Sequence, residues 1–142
     1  MADIKNIAAI KEASGDIHQI SEVIRLTRGK IDVYSGDDSL TVPAVSLGAI
    51  GVISVAGNVV PDKMHALSVL AIDGKFLESA EIHFGLAPLM KLLFCEVNPI
   101  PVKYAMNLLG FDAGIPRMPL TEMEPQNAER LAAEMRRLEL IA

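Results

Sequence analysis

The chain of 142 residues is 51% hydrophobic with a formal net charge of −5, which bounds it to one domain with enough apolar material for a packed core. The acidic balance and a 4% aromatic content exclude a phosphate-backbone partner, because nothing sets Lys and Arg in a stripe with interleaved rings; no nucleic acid is expected. The single cysteine, Cys95 within Leu92-Leu93-Phe94-Cys95, excludes a disulfide framework and a thiolate metal site and is expected as a buried, reduced thiol.

Residues 4–10 are short, apolar and branched, the composition of a buried strand, with Lys11 at its end and the turn-like Glu12-Ala13-Ser14-Gly15-Asp16 behind it. Most strand-end lysines only carry a charged head to water over an apolar stem. The same position also suits a nucleophile, if the amine loses its proton near neutral pH and condenses with a ketone. Asp16 offers an N-cap with Gln19 three positions on, a variant of the capping box, before Ile17, Ile20, Val23, Ile24 and Leu26 repeat at helical spacing. Gly29 stops that helix, and residues 31–35 form a second short strand running into Gly36-Asp37-Asp38. Adjacent side chains point apart, so Asp37 and Asp38 are read as supplying a helix N-cap rather than an acid pair.

A second helix is expected over residues 40–47, with Pro43 near its start, followed by a third strand over residues 51–55. Strand-helix-strand-helix-strand alternation is the signature of parallel strands joined by crossovers. Beyond Pro61 the pattern turns helical throughout. Met64, Leu67, Leu70 and Ala71 recur at helical period up to Gly74, and residues 76–94 continue as a longer amphipathic helix. Asn98-Pro99-Ile100-Pro101 makes a rigid break, residues 102–109 read as helix, and a last helix spans 124–140 after the loop with Pro116 and Pro119. Arg130, Arg136 and Arg137 share that helix with several Glu, a solvated face of mixed charge.

Strands buried on both faces suit a doubly wound sheet or a (β/α) barrel. The turn after the first strand lacks the Gly-rich nucleotide fingerprint. In a barrel, chemistry sits at C-terminal strand ends, where Lys11, Gly36 and residues 53–55 fall. His18, His65 and His83 have spacings that suit no ligand cluster and are read as surface or interface residues, so no metal site is expected. Met1-Ala2-Asp3-Ile4-Lys5 has no long apolar leader segment and no run reaches the length of a membrane span, so the expectation is a cytoplasmic, soluble protein with no membrane partner.

Four segments in order, Ile10-Lys11-Glu12-Ala13-Ser14-Gly15-Asp16, Ser35-Gly36-Asp37-Asp38, Gly51-Val52-Ile53-Ser54-Val55 and Glu96-Val97-Asn98-Pro99-Ile100-Pro101-Val102-Lys103, resemble the dihydrodipicolinate synthase (4-hydroxy-tetrahydrodipicolinate synthase) family of pyruvate-dependent lyases. The resemblance runs along essentially the whole chain. It implies a fold class of α/β: the C-terminal portion of a TIM (β/α)8 barrel, with its last three parallel strands in residues 1–60. Residues 61–142 then hold the final barrel helix and a C-terminal helical region, all in one structural unit. It implies that Lys11 is the Schiff-base lysine, that Gly36 contributes a main-chain contact in the active site, and that Ile53 lines the pyruvate pocket. Ile and Ala neighbours would dehydrate Lys11 and favour the neutral amine.

The substrates so implied are pyruvate and aspartate semialdehyde, in diaminopimelate and lysine biosynthesis, with no metal or organic cofactor. A complete barrel takes about 250 residues, so the resemblance also implies a fragment. The family's Gly-Thr-Thr segment for the pyruvate carboxylate, its tyrosine proton shuttle and its substrate arginine belong to the other half, and Tyr34 and Tyr104 match neither tyrosine position. Uncovered parallel strands call for a homo-oligomer or a complementing N-terminal half. Two copies of this chain would not rebuild the enzyme's barrel. The alternatives are a non-catalytic half-barrel or oligomerisation module, and a sister pyruvate aldolase acting on a different aldehyde.

Overall fold

The computed structural model describes residues 3–142; Met1 and Ala2, part of the stretch read for a leader, lie outside the described residues. Two short parallel strands, β1 (Ala9–Glu12) and β2 (Asp32–Ser35), are joined by α1 (Ile17–Thr27) and paired in register from Ala9 with Asp32 to Glu12 with Ser35. A 3-10 turn (Asp38–Leu40) leads into α2 (Thr41–Leu47). After a second 3-10 turn (Ala56–Asn58) the chain is helical: α3 (Pro61–Ile72), α4 (Phe76–Leu92), α5 (Ile100–Leu108) and α6 (Pro125–Arg137). The result is a partial α/β unit, a small parallel sheet followed by a helical assembly.

Local chemistry accounts for most boundaries. Asp16 caps α1 by accepting from the His18 N–H at 2.8 Å. Proline occupies the first turn of α3, α5 and α6, where its missing N–H removes no helical hydrogen bond. Two expectations fail. Residues 4–8 are turn and coil rather than strand, with the Ile7 N–H bonded back to the Ile4 carbonyl, so β1 begins at Ala9 and Lys11 lies within it instead of closing it. A run of small apolar residues does not by itself distinguish strand from turn.

The third strand is reduced to one parallel bridge, Ser35 with Val52. Its hydrogen bonds continue the ladder: the Ser35 N–H donates to the Gly51 carbonyl at 2.9 Å, and the Ile53 N–H to the Ser35 carbonyl at 2.8 Å. Gly51, at φ 153°, takes a backbone angle that side chains disfavour, and this departs from regular strand geometry.

Two apolar clusters result. Ile20, Ile24, Val33, Ala44 and Ala49 form the smaller one, beneath the sheet, with Ile10 packed against it. The larger one joins α3, α4, α5 and α6 through residues such as Met64, Leu67, Leu89, Ala105, Leu131 and Met135. The Ser79 hydroxyl donates to the Leu67 carbonyl at 2.8 Å, tying α4 to α3 inside that core. Glu96 accepts from the Asn127 amide at 2.8 Å and the Glu124 N–H at 3.1 Å, seating the start of α6.

Candidate active site

Alternation along β1 sends Ile10 and Glu12 toward the helices and Ala9 and Lys11 to the opposite face. Val33 and Ser35 of β2 are likewise buried, while Asp32 is exposed and Tyr34 half-buried. Lys11 is therefore exposed, and it forms no ion pair among the described residues. The dehydration expected from its Ile and Ala neighbours is not found, because Ile10 packs on the opposite face and Ala9, on the Lys11 face, is itself exposed.

The close approach between strand ends is specific. The Gly36 N–H donates to the Glu12 carbonyl at 2.6 Å. A Cβ added at Gly36 would collide with the Ala13 Cβ, lie 2.8 Å from Lys11 Cε and 3.0 Å from the Glu12 carbonyl oxygen. Glycine is required there chiefly by the Ala13 Cβ and the Glu12 carbonyl oxygen, which cannot swing aside as the flexible Lys11 stem beside them can. Ile53 is 47% exposed, and its N–H is bonded to Ser35, one residue before Gly36. The three residues singled out from the sequence thus fall at neighbouring ends of one ladder.

Asp37 and Asp38 divide their work. Asp37 caps the 3-10 turn, its Oδ1 accepting from the Ser39 N–H at 2.8 Å and the Ser39 hydroxyl at 2.6 Å. Asp38 is buried, and its Oδ2 accepts from the N–H groups of Val55 (3.1 Å) and Ala56 (2.8 Å). Gln19 does not return to Asp16 to complete a capping box; its amide donates to Glu12 Oε1 at 2.9 Å, and the Asp16 N–H instead bonds the Ser14 hydroxyl at 3.1 Å. Glu12, 5% exposed, is a residue the sequence did not single out. A glutamate bonded to a side chain seven positions on leaves no local pattern to read.

His18 and His65 are exposed, and His83 is half-buried, stacked edge-on against Phe84 with centroids 5.7 Å apart. Cys95 is free but half-buried rather than buried; burial, and then the Glu96 carboxylate, push its thiol up, with Arg130 opposing. A cleft of about 390 Å³ lined by Asp62, Ile82, Leu86 and Arg137 lies away from Lys11, which stands on an open sheet face instead of in a hollow. No helix among the described residues is long and apolar enough to cross a membrane.

Small parallel strands, crossover helices and a lysine on a glycine-cleared strand end define a partial βα unit of the kind that carries chemistry at its strand ends. The chain belongs to the Dihydrodipicolinate synthetase family, which it matches over residues 1–138. The 4-hydroxy-tetrahydrodipicolinate synthase of Caldicellulosiruptor bescii is 48% identical over 131 residues, 92% of this chain and 44% of that protein. That of Archaeoglobus fulgidus is 45% identical over 142 residues, covering 100% of this chain and 49% of its own length. The chain thus spans about half the length of the curated relatives it matches.

Among solved structures, the dihydrodipicolinate synthase of Thermotoga maritima superposes with a TM-score of 0.94 at 42% identity, covering 99% of this chain and 48% of that one. The chloride-inhibited enzyme from Acinetobacter baumannii, complexed with pyruvate, gives 0.93 at 39%, with 99% and 48% covered.

Proposed function

We propose that the chain is the C-terminal portion of a (β/α)8 barrel. Residues 1–60 supply its last three parallel strands, and residues 61–142 the final barrel helix and a C-terminal helical region within one structural unit. In this reading Lys11 is the nucleophile of a 4-hydroxy-tetrahydrodipicolinate synthase-type lyase, which condenses pyruvate with aspartate semialdehyde in lysine and diaminopimelate biosynthesis. The observation that carries it is the Lys11 stem lying against Gly36 where only glycine fits, with Ile53 on the next segment of the ladder.

The chemistry follows from an amine at that place. Lys11 Nζ attacks the keto carbon of pyruvate, water leaves, and the resulting imine draws electrons from the adjacent methyl group. Loss of a methyl proton gives an enamine, whose carbon adds to the aldehyde. These steps need no metal or organic cofactor. Gly36 provides the room and a main-chain contact, and Ile53 provides apolar wall.

The exposed face of β1 and β2 is where a complementing N-terminal half of the barrel would sit, whether joined to this chain or separate. Covering that face would remove water from Lys11. The setting for this chemistry is the cytoplasm.

The test is to incubate the chain with pyruvate, reduce with borohydride and map the mass adduct by peptide. An adduct on Lys11, lost in Lys11→Ala and slowed in Gly36→Ala, is expected, with no condensation activity until an N-terminal half is supplied. If Lys11 stays unmodified even with that half present, the chain is a non-catalytic half-barrel. Activity of the complemented protein on another aldehyde in place of aspartate semialdehyde would identify a sister aldolase.

A further inference from the structure

Glu12 is the one residue beside Lys11 whose placement the proposed chemistry leaves unexplained. It is 5% exposed on the helix-facing side of β1, and its Oε2 is buried with no partner among the described residues. Burying a carboxylate with one oxygen unpaired is unfavourable, and an apolar side chain would pack there without that loss. What the carboxylate adds is an acceptor that an apolar residue lacks. Its Oε1 takes the Ser14 N–H at 3.1 Å and the Gln19 amide at 2.9 Å, joining the end of β1 to the turn and to α1. Its main-chain carbonyl takes the Gly36 N–H at 2.6 Å, joining the same residue to the end of β2. One residue therefore holds the strand end from two sides, and Lys11 is its immediate neighbour on the opposite face.

Resting on the reading of Lys11 as the Schiff-base nucleophile, we infer that Glu12 is a positioning residue for the Lys11 amine. Its carboxylate fixes the backbone from which the lysine projects against Gly36. The bonds set the direction of the Lys11 stem without touching the substrate. The role predicts a change in the limiting rate of imine formation, with the half-saturating pyruvate concentration unchanged, since binding does not involve Glu12.

The experiment measures the initial rate of borohydride-trapped pyruvate adduct on Lys11 across pyruvate concentrations, in the full chain and in variants whose folding is checked by circular dichroism. Glu12→Gln keeps an acceptor oxygen and is expected within about twofold of the unmodified chain, whereas Glu12→Leu is expected to lower the limiting rate about tenfold. Gln19→Ala removes one donor from an exposed position and is expected to lower the rate about threefold. If folded Glu12→Leu traps pyruvate at the unmodified rate, the inference is overturned while the Lys11 reading stands; should that variant fail to fold, an unchanged rate in Gln19→Ala overturns it equally. An unmodified chain that gives no Lys11 adduct overturns the Lys11 reading and this inference with it.

Discussion

The helices from α3 onward and the βα segment before them use the same apolar residue types but close their cores differently. In the helical part, side chains from four helices meet around Leu67, Leu89, Leu131 and Met135, each fully enclosed. In the βα part the helices cover one face of the sheet, and the other, with Lys11, faces solvent. The contrast separates two tasks: burial is concentrated where no candidate chemistry lies, and the candidate nucleophile stands on the thinner part. Apolar area removed from water is the main source of stability, so the helical part supports the strand ends rather than the reverse.

Truncation in the two clusters puts this contrast at risk most directly. Leu89→Ala should cost about 2–5 kcal/mol in denaturant unfolding, toward the upper end because α3, α4 and α6 surround the void. Ile20→Ala, in the smaller cluster, should fall near the lower end of that range, since a one-sided layer can settle into the gap. Equal losses would mean the sheet segment is as firmly closed as the helices, and the contrast would fail.

A contact within the βα part that reaches Ala56, at the edge of the larger cluster, comes next in size. Asp38→Ala leaves the N–H groups of Val55 and Ala56 without their acceptor and should cost about 1–3 kcal/mol. Hydrogen exchange can locate this effect. Faster exchange at residues 55 and 56 with little change inside α4 would sharpen the division, whereas uniform acceleration would show a single cooperative unit. The smallest expected effect is local to the thin part: Asp16→Ala removes the cap of α1 and should cost about 1 kcal/mol, read as a shift in the urea midpoint with an unchanged slope.

The helices were legible in the sequence because their signals are local. Asp16 stands before the α1 repeat, prolines open α3 and α6, and Met64, Leu67 and Ala71 share the face that packs. The nearness of Lys11, Gly36 and Ile53 on one ladder was legible through order and motif, although Lys11 lies inside β1 and Ile53 beside a single bridge. What could not be read was orientation and wiring. Ile10, Lys11 and Glu12 do not say which of the last two is buried; packing of Ile10 against the cluster beneath the sheet decides it, and it turns the glutamate inward and the lysine outward. The third strand read as continuous because Val52 and Ile53 have strand composition, and the one local warning, Gly51, was outweighed by it. Residues 4–8 misled for the opposite reason, since apolar composition there accompanies a turn.

The Asp38 contact divides the freedom to vary unequally between its ends. The carboxylate grips main-chain N–H groups, which every residue but proline supplies, so positions 55 and 56 could exchange side chains, within the space available, without losing the bond. Position 38 has less latitude, because both N–H groups donate to the one oxygen Oδ2 and only a short side chain with an acceptor oxygen, Asp or Asn, reaches them. In a library randomised at all three sites, survivors should be diverse at 55, limited to small residues at 56 by its full enclosure, and restricted to Asp and Asn at 38.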